Sequence, residues 1–130
     1  MAGNTSPIFE ASPFNGGVQF ASTDTTAKKT LATGTTNGLR IDQIACSTND
    51  TAAVNLAFYI GTGGTDYYLG NVVVAIGSGY TTVARVGALT TLAPTLGYIV
   101  LASGDTLKVN CVATMTAAKV TDIVAMGGPY

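Results

Sequence analysis

The feature that most constrains the fold is an alternation of apolar and polar residues with a period of two, in short segments separated by turn residues. In the segment Leu107–Met115 every second residue is apolar, and Val54–Ile60 follows the same pattern. A β-strand places successive side chains on opposite faces, so this alternation predicts half-buried strands. Such segments recur at roughly the 8–12 residue spacing of a sandwich or barrel, and about eight strands are expected.

Two further segments carry irregular patterns. In Tyr68–Ile76, Tyr68, Val72, Val74 and Ile76 are expected on one face, with Gly70 marking a bulge or a close approach of another backbone. The segment Gly38–Cys46 changes phase, which predicts a bulge near Asp42 and Gln43. Weaker strand candidates are Val18–Ala21, Ala27–Ala32, Thr81–Val86, Tyr98–Leu101 and Lys119–Met126.

The connectors are short and rich in residues that tolerate a positive φ, which predicts hairpin-type turns. They are Thr33–Gly38, Gly61–Asp66, Gly77–Gly79 and Ser103–Asp105. No capped amphipathic stripe reaches ten residues, although the alanine-rich stretch 84–93 has room for one short helical turn. Parallel sheets need crossover helices. The predicted fold is therefore all-β, an antiparallel β-sandwich of jelly-roll-like form.

The composition agrees with a sheet protein and argues against several functions. Thr occurs 21 times and Glu once, which suits strands and does not suit exposed helices. Charged residues make up 10% of the chain and the net charge is −1, so nucleic acid is not an expected partner. The apolar runs are far shorter than the ~20 residues of a membrane span, so no membrane contact is expected. No export signal is visible, and Cys46 and Cys111 are expected to be reduced, buried thiols rather than a bridge.

The chain divides into an arm and one domain. Residues 1–16 contain two Ser-Pro units and no strand or helix periodicity, so they are predicted to form an extended N-terminal arm. Ile8, Phe9 and Phe14 are too apolar for a segment that contacts only water, and the arm is expected to pack on a partner. Residues 17–130 are expected to form a single β-sandwich domain.

Residues suited to catalysis are sparse. The chain has no histidine, which removes the usual general base, the common nucleophile pairings and the commonest transition-metal ligand. Its carboxylates are scattered singly along the sequence. Asp50, Asp66 and Asp105 lie in predicted turns, where capping of backbone N–H groups is the main expectation and a calcium site the alternative. The prediction is a protein that is not an enzyme and carries no metal or cofactor.

The aromatic residues and the low charge point to assembly. Tyr59, Tyr67 and Tyr80 fall at outward or turn positions, where subunit contact is favoured and a sugar-stacking platform is the rival interpretation. A free domain normally carries about 25% charged residues. A surface composed mainly of Thr, Ala and Gly is better tolerated in an assembly that buries much of it than in a free monomer.

Five segments follow one another in a recognisable order, namely Asn4–Phe9, Gly38–Ile44, Leu56–Gly64, Leu101–Leu107 and Gly127–Tyr130. Taken in this order, they resemble a family of small structural proteins of tailed bacteriophages, the capsid decoration or cement proteins. The resemblance covers nearly the whole chain, and the usual ending resembles Gly-Gly-Asp-Tyr, from which Pro129 departs.

This resemblance implies a virion structural protein on the outer capsid surface, assembled in the bacterial host cytoplasm. The implied partners are the major capsid protein and further copies of the chain, with a homo-trimer expected in preference to a dimer. A tail or baseplate protein and a carbohydrate-binding β-sandwich are the alternatives. The predicted partner interface comprises Ile8, Phe9, Phe14, Tyr59, Tyr67, Tyr80 and Tyr130.

Overall fold

The structure is a computed structural model that describes residues 12–130. Within that range the chain forms nine β-strands and one four-residue α-helix. A single 3-10 turn at Ser22–Asp24 follows the first strand. The elements are β1 Phe14–Ala21, β2 Lys29–Thr33, β3 Leu39–Thr48, β4 Val54–Thr62, β5 Thr65–Val74, β6 Val86–Gly87, α1 Leu89–Leu92, β7 Ile99–Leu101, β8 Thr106–Cys111 and β9 Val120–Pro129.

The strands form two sheets in which every pairing is antiparallel. The first sheet has the order β1-β9-β3-β6, with β7 pairing to the same β3, and the second has the order β2-β8-β4-β5. If β6 and β7 are taken as two pieces of one interrupted edge strand, the chain builds two four-stranded sheets. This strand order is that of a double-sheet jelly roll. The predicted all-β, jelly-roll-like sandwich is confirmed.

The core lies between the sheets and follows the period-two pattern. In the second sheet, Leu56, Phe58, Leu107 and Val109 are fully buried and occupy every second position of their strands. The first sheet contributes an inner face of similar character, which includes Phe20, Leu39, Ile41, Ile44 and Ile123. Period-two alternation therefore fixes which face of each strand meets the other sheet.

Two bulges lie at the positions where the sequence pattern is irregular. The pairing of β3 with β9 shifts register between Ile41 and Gln43, as the phase change predicts. In β5, Phe58 pairs with Gly70 and the adjacent Tyr59 pairs with Tyr68, so Leu69 is the extra residue. The prediction that Tyr68 shares a face with Val72 and Val74 is wrong, because the bulge reverses the phase and leaves Tyr68 63% exposed.

Most connectors cross between the sheets. Of the four predicted turns, Gly61–Asp66 forms a hairpin, in which Gly63 and Gly64 adopt φ values of 59° and 82°. The other three predicted hairpin turns join strands of different sheets, so that prediction is wrong for them. The residues of a turn do not indicate which of the two sheets the next strand joins.

Three weaker predictions have mixed outcomes. The stretch 84–93 holds the short helix α1, as expected. Of the predicted strand Thr81–Val86 only Val86 is in a strand, and β8 ends at Cys111, although Met115 beyond it is still buried. At the N-terminal end, β1 begins at Phe14, so residues 14–16 of the predicted arm are part of a strand. The rest of the arm through residue 11, including Ile8 and Phe9, lies outside the described residues.

Candidate functional surfaces

The predicted interface residues lie in separate parts of the molecule. Phe14 is half-buried and packs against the core, while Tyr59 and Tyr67 lie on the β4–β5 hairpin. Tyr80 lies in the loop between β5 and β6, and Tyr130 follows β9 with its N–H bound to the carbonyl of Gly38 at 3.1 Å. The structure therefore divides the predicted interface between the two sheets.

On the outer face of the second sheet, a tyrosine–lysine patch is formed by Lys28, Tyr59, Asp66, Tyr68 and Lys108. Tyr59 pairs with Tyr68 on one side and with Lys108 on the other, which places the three side chains in one row. The two tyrosine rings meet edge to face at 5.9 Å, and the Lys28 ammonium lies 4.0 Å from the Tyr59 ring centre. Tyr68 is the most exposed member, and its hydroxyl bonds Asn71 at 2.7 Å.

The charges of this patch are paired with each other. Asp66 accepts hydrogen bonds from Lys108 at 3.0 Å and from Lys28 at 3.1 Å. These bonds, that of Lys108 foremost, hold the pKa of the Asp66 carboxyl below its usual range. The carboxylate is therefore ionised at neutral pH, which suits an ion pair and does not suit a general acid.

On the outer face of the first sheet, Asp122 organises a smaller polar group. The Tyr80 hydroxyl donates to one carboxylate oxygen of Asp122, and the Gln19 amide donates to the other at 2.7 Å. The bond to Asp122 raises the pKa of the Tyr80 phenol. Arg85 and Val124 line the same shallow pocket. These contacts hold the β5–β6 loop down on the sheet.

Asp50 is a structural side chain. It is 4% exposed and accepts bonds from the N–H groups of Ala52 and Thr116 and from the Thr116 hydroxyl at 2.6 Å. Burial by itself would raise the pKa of this carboxyl, but the hydrogen bonds outweigh it and lower the pKa. The contacts are those of the turn-capping interpretation. Among residues 12–130, no three His, Cys, Asp or Glu side chains come together in a way that suits a metal ion.

A pocket of about 640 Å³ lies beside the C-terminal residue Tyr130. Its lining includes Gly38, Val100, Leu101 and Ser103, and its wall is mainly apolar. Near this pocket, the Arg40 guanidinium stacks on the Tyr98 ring at 4.1 Å and bonds Asp42 at 2.6 Å. The hydrogen bond to Asp42 raises the pKa of the guanidinium.

Both cysteines are buried in the core, as predicted, one in each sheet. Burial raises the pKa of the Cys46 thiol to about 12 and that of the Cys111 thiol to about 11. Thiols with such values are protonated at neutral pH and unreactive.

No family model matches the chain, and no curated protein matches it. A solved structure to which it is similar is the cryo-EM structure of the extra small virus VLP of the giant freshwater prawn Macrobrachium rosenbergii. The two share 12% identity with a TM-score of 0.35, over 97% of this chain and 86% of that one. Within residues 12–130, no helix has the length and apolar character needed to cross a membrane.

Proposed function

We propose that this protein is a non-enzymatic virion structural protein that binds the outer shell of a capsid and stabilises it, in the manner of a decoration or cement protein. The observation that carries the proposal is the exposure of large apolar side chains over both sheets in a chain with only 10% charged residues. Exposed aromatic side chains with few charges around them are typical of the core of a protein interface. The exposed residues include Tyr67, Tyr68, Val73, Ile76, Tyr80, Val100 and Val124.

The sequence resemblance supports the same role. It covers nearly the whole chain, and the jelly roll provides a two-sheet scaffold whose outer faces are available for contact. The partners proposed on this basis are the major capsid protein and other copies of the chain.

The chemistry of the acidic and thiol groups favours a structural role over a glycoside hydrolase. A glycoside hydrolase that uses a carboxylic acid as its general acid needs a carboxyl group whose pKa is raised. Here the pKa of Asp66 is lowered by two lysines and that of Asp50 by hydrogen bonds that outweigh its burial. The thiols are buried and protonated. Each group is thereby committed to the stability of the fold.

Stabilisation of a shell follows from mass action. A protein that binds only the assembled lattice favours that state by an amount that grows with its concentration relative to Kd, about 2.7 kcal/mol at a hundred-fold excess over Kd. An oligomer that touches several capsid subunits gains further from avidity.

The test uses particles of the virus that encodes the chain, with and without the full-length protein. Particles that lack it should release their genome at a lower temperature, and adding the purified protein back should restore the release temperature. Cryo-EM of the complete particles should show it on the capsid. Density on the tail or baseplate instead would favour that location, and no binding to either would contradict the proposal.

The tyrosine–lysine patch favours a second candidate function, binding of an oligosaccharide. The exposed Tyr68 ring offers an apolar face for a sugar, and Asn71, Lys28 and Lys108 provide nearby hydrogen-bonding groups. A glycan array followed by titration of any hit tests this. Tyr68→Ala should abolish binding, while Tyr67→Ala, at a neighbouring position of similar exposure, should leave it intact. If the protein binds capsids and binds no glycan, this candidate is excluded.

A further inference from the structure

The described part of the jelly roll has four sheet edges, and they differ in how their backbone groups are protected. The edges are β1 and the β6/β7 pair in the first sheet, and β2 and β5 in the second. An edge strand presents unpaired N–H and C=O groups, which are a template for pairing with another chain unless something blocks them.

The C-terminal end of the β1 edge is capped by two charged side chains, which occupy one backbone N–H and one backbone carbonyl. The Ala21 N–H donates to Asp24 at 2.8 Å, and Lys29 donates to the Gln19 carbonyl at 2.6 Å. Lys29 and Asp24 are themselves paired at 3.1 Å. We refer to Asp24 and Lys29 as the β1 cap.

Two other edges are interrupted, and one of them also begins with a charge. The β6/β7 edge consists of two residues and three residues separated by α1. The β2 strand begins with the charged Lys29, and its pairing is interrupted by a register shift between Thr30 and Ala32. Very short edge strands, bulges and edge lysines are all known to discourage pairing.

The edge of β5 is long and lacks such a cap. It has ten residues, and within residues 12–130 no hydrogen bond other than those to β4 reaches its main chain. At the bulge, Leu92 of α1 lies only 3.1 Å from where a Cβ of Gly70 would be, so α1 covers that point. The segment Asn71–Val74 continues beyond the bulge, with Val73 59% exposed and Ile76 56% exposed just past the strand.

The Asn71–Val74 part of the β5 edge carries no charged side chain. The sequence contains no charged residue between Asp66 and Arg85, which is the segment that holds the end of β5 and the loop after it. An exposed, apolar strand edge without a charge is an aggregation hazard in a free protein. A strand that covers this edge in the working form of the protein removes that hazard.

We propose that the Asn71–Val74 edge of β5 pairs in antiparallel fashion with the same segment of a second copy of this chain, which joins two second sheets into one continuous sheet. A second copy is the occupant that the geometry favours, because an antiparallel segment can pair with its own copy and both sides then present the same uncharged backbone edge. Among the edges of residues 12–130, β1 carries its cap, β2 begins with Lys29 and β6/β7 is divided into two short pieces, so β5 of another copy meets the requirement.

This pairing has a consequence for symmetry. When the same segment contacts itself, the interface is isologous and its symmetry is two-fold. A three-fold ring would need β5 to meet a different surface of its neighbour. The edges of the structure therefore favour a dimer over the trimer expected from the sequence. The inference rests on the self-association in the proposed function and is independent of the capsid contact.

The experiment is sedimentation equilibrium of the full-length chain from about 1 to 200 μM, for wild type, Val73→Lys and Val124→Lys. Val73 lies on the open edge, whereas Val124 is an exposed valine of β9, an internal strand of the other sheet. The wild type should approach twice the 13.1 kDa chain mass. Val73→Lys should weaken the dimer at least ten-fold, because it places a lysine from each copy along the joined edge, and Val124→Lys should behave as wild type.

The outcomes separate the two proposals. A monomeric wild type at 200 μM, a trimer, or a dimer that Val73→Lys leaves intact would overturn the β5 pairing. Equal thermal unfolding of the two variants at 1 μM would show that Val73→Lys is folded. Capsid binding by a protein that stays monomeric would refute the pairing alone, and a β5 dimer that ignores capsids would refute the capsid role alone.

Discussion

The edge strands β1 and β5 are both long, but they differ in the charged residues that lie next to them in the sequence. Beside β1, Asp24 and Lys29 occupy one N–H and one carbonyl of the exposed backbone. Beside β5, the chain carries no charge from Tyr67 to Ala84. In the pairing that we propose, this jelly roll controls its contacts edge by edge, through a few side chains that follow a strand closely in the sequence.

The outer faces of the two sheets also differ in how their charged side chains are arranged, although less strongly than the edges do. On the second sheet the charges form a self-contained group around Asp66, which leaves Tyr68 and Val73 as the exposed features. On the first sheet, Asp122 binds Tyr80 and Gln19 and holds a loop against the face. The region around β5 therefore offers apolar contact with little charge to desolvate.

The largest expected effect concerns the two bulges, one inside the first sheet and one on the open edge. A Cβ added at Gly127 would lie 1.9 Å from the Arg40 carbonyl oxygen, a backbone atom that cannot move aside. Gly127→Ala should therefore cost about 3 kcal/mol or more of unfolding free energy. A Cβ at Gly70 would meet only the end of the Leu92 side chain, and Gly70→Ala should cost less than about 1 kcal/mol.

Urea unfolding of both variants measures the difference in unfolding free energy. The comparison is matched, since each variant adds one methyl group at a bulge. Equal losses of stability at Gly127 and Gly70 would show that the two bulges are packed alike. They would contradict the expected difference between a tightly packed interior bulge and an adaptable edge.

The next effect is removal of the β1 cap. Lys29→Ala leaves the Gln19 carbonyl without its partner, and we expect the β1 edge to gain the concentration-dependent self-association that we assign to β5. Lys28→Ala is the matched control, because the neighbouring Lys28 binds Asp66 and not the β1 backbone. Light scattering across a concentration series provides the measurement. Identical behaviour of the two variants would contradict a capping role for Lys29.

A pH dependence of the cap should be smaller and local. The backbone N–H of Ala21, and after it Lys29, lower the pKa of Asp24 below 3.8. Because the folded value is the lower one, the contribution of the cap is complete above about pH 4 and is lost as pH falls through the folded value. Amide exchange at Ala21, corrected for intrinsic rates, should lose protection below that point.

The variant Asp24→Asn is the control for this titration. It cannot ionise, so the protection of the Ala21 amide should be reduced at neutral pH and should show no step below pH 4. A step of equal size in the variant would assign the change to general acid unfolding rather than to Asp24.

Much of the fold was predictable because it depends on local alternation. The period-two segments located most of the strands, and the phase change at Asp42 and Gln43 located a bulge. The face of Tyr68 was predicted wrongly, although Gly70 signals a bulge, because a one-residue insertion reverses every side chain beyond it. Alternation gives the spacing of side chains, and the register of the neighbouring strand decides their direction.

The surfaces were less predictable, because they depend on partners distant in sequence. Tyr59 and Tyr67 were expected to point outward, but Tyr68 was not, and it is the most exposed residue of the tyrosine–lysine patch. The contacts of Tyr80 with Asp122 and of Lys108 with Asp66 join residues 42 positions apart. The β1 cap has a local signal, since Asp24 and Lys29 follow the strand within a few residues.

Hydrogen exchange on the full-length wild type at about 1 μM and 200 μM tests the unequal edges most directly. The account predicts that amides of the Asn71–Val74 segment gain protection at the higher concentration, while the capped Ala21 amide is equally protected at both. Exchange at Asn71–Val74 that does not change with concentration, or a gain in protection along β1 instead, would contradict the assignment of β5 as the edge that pairs.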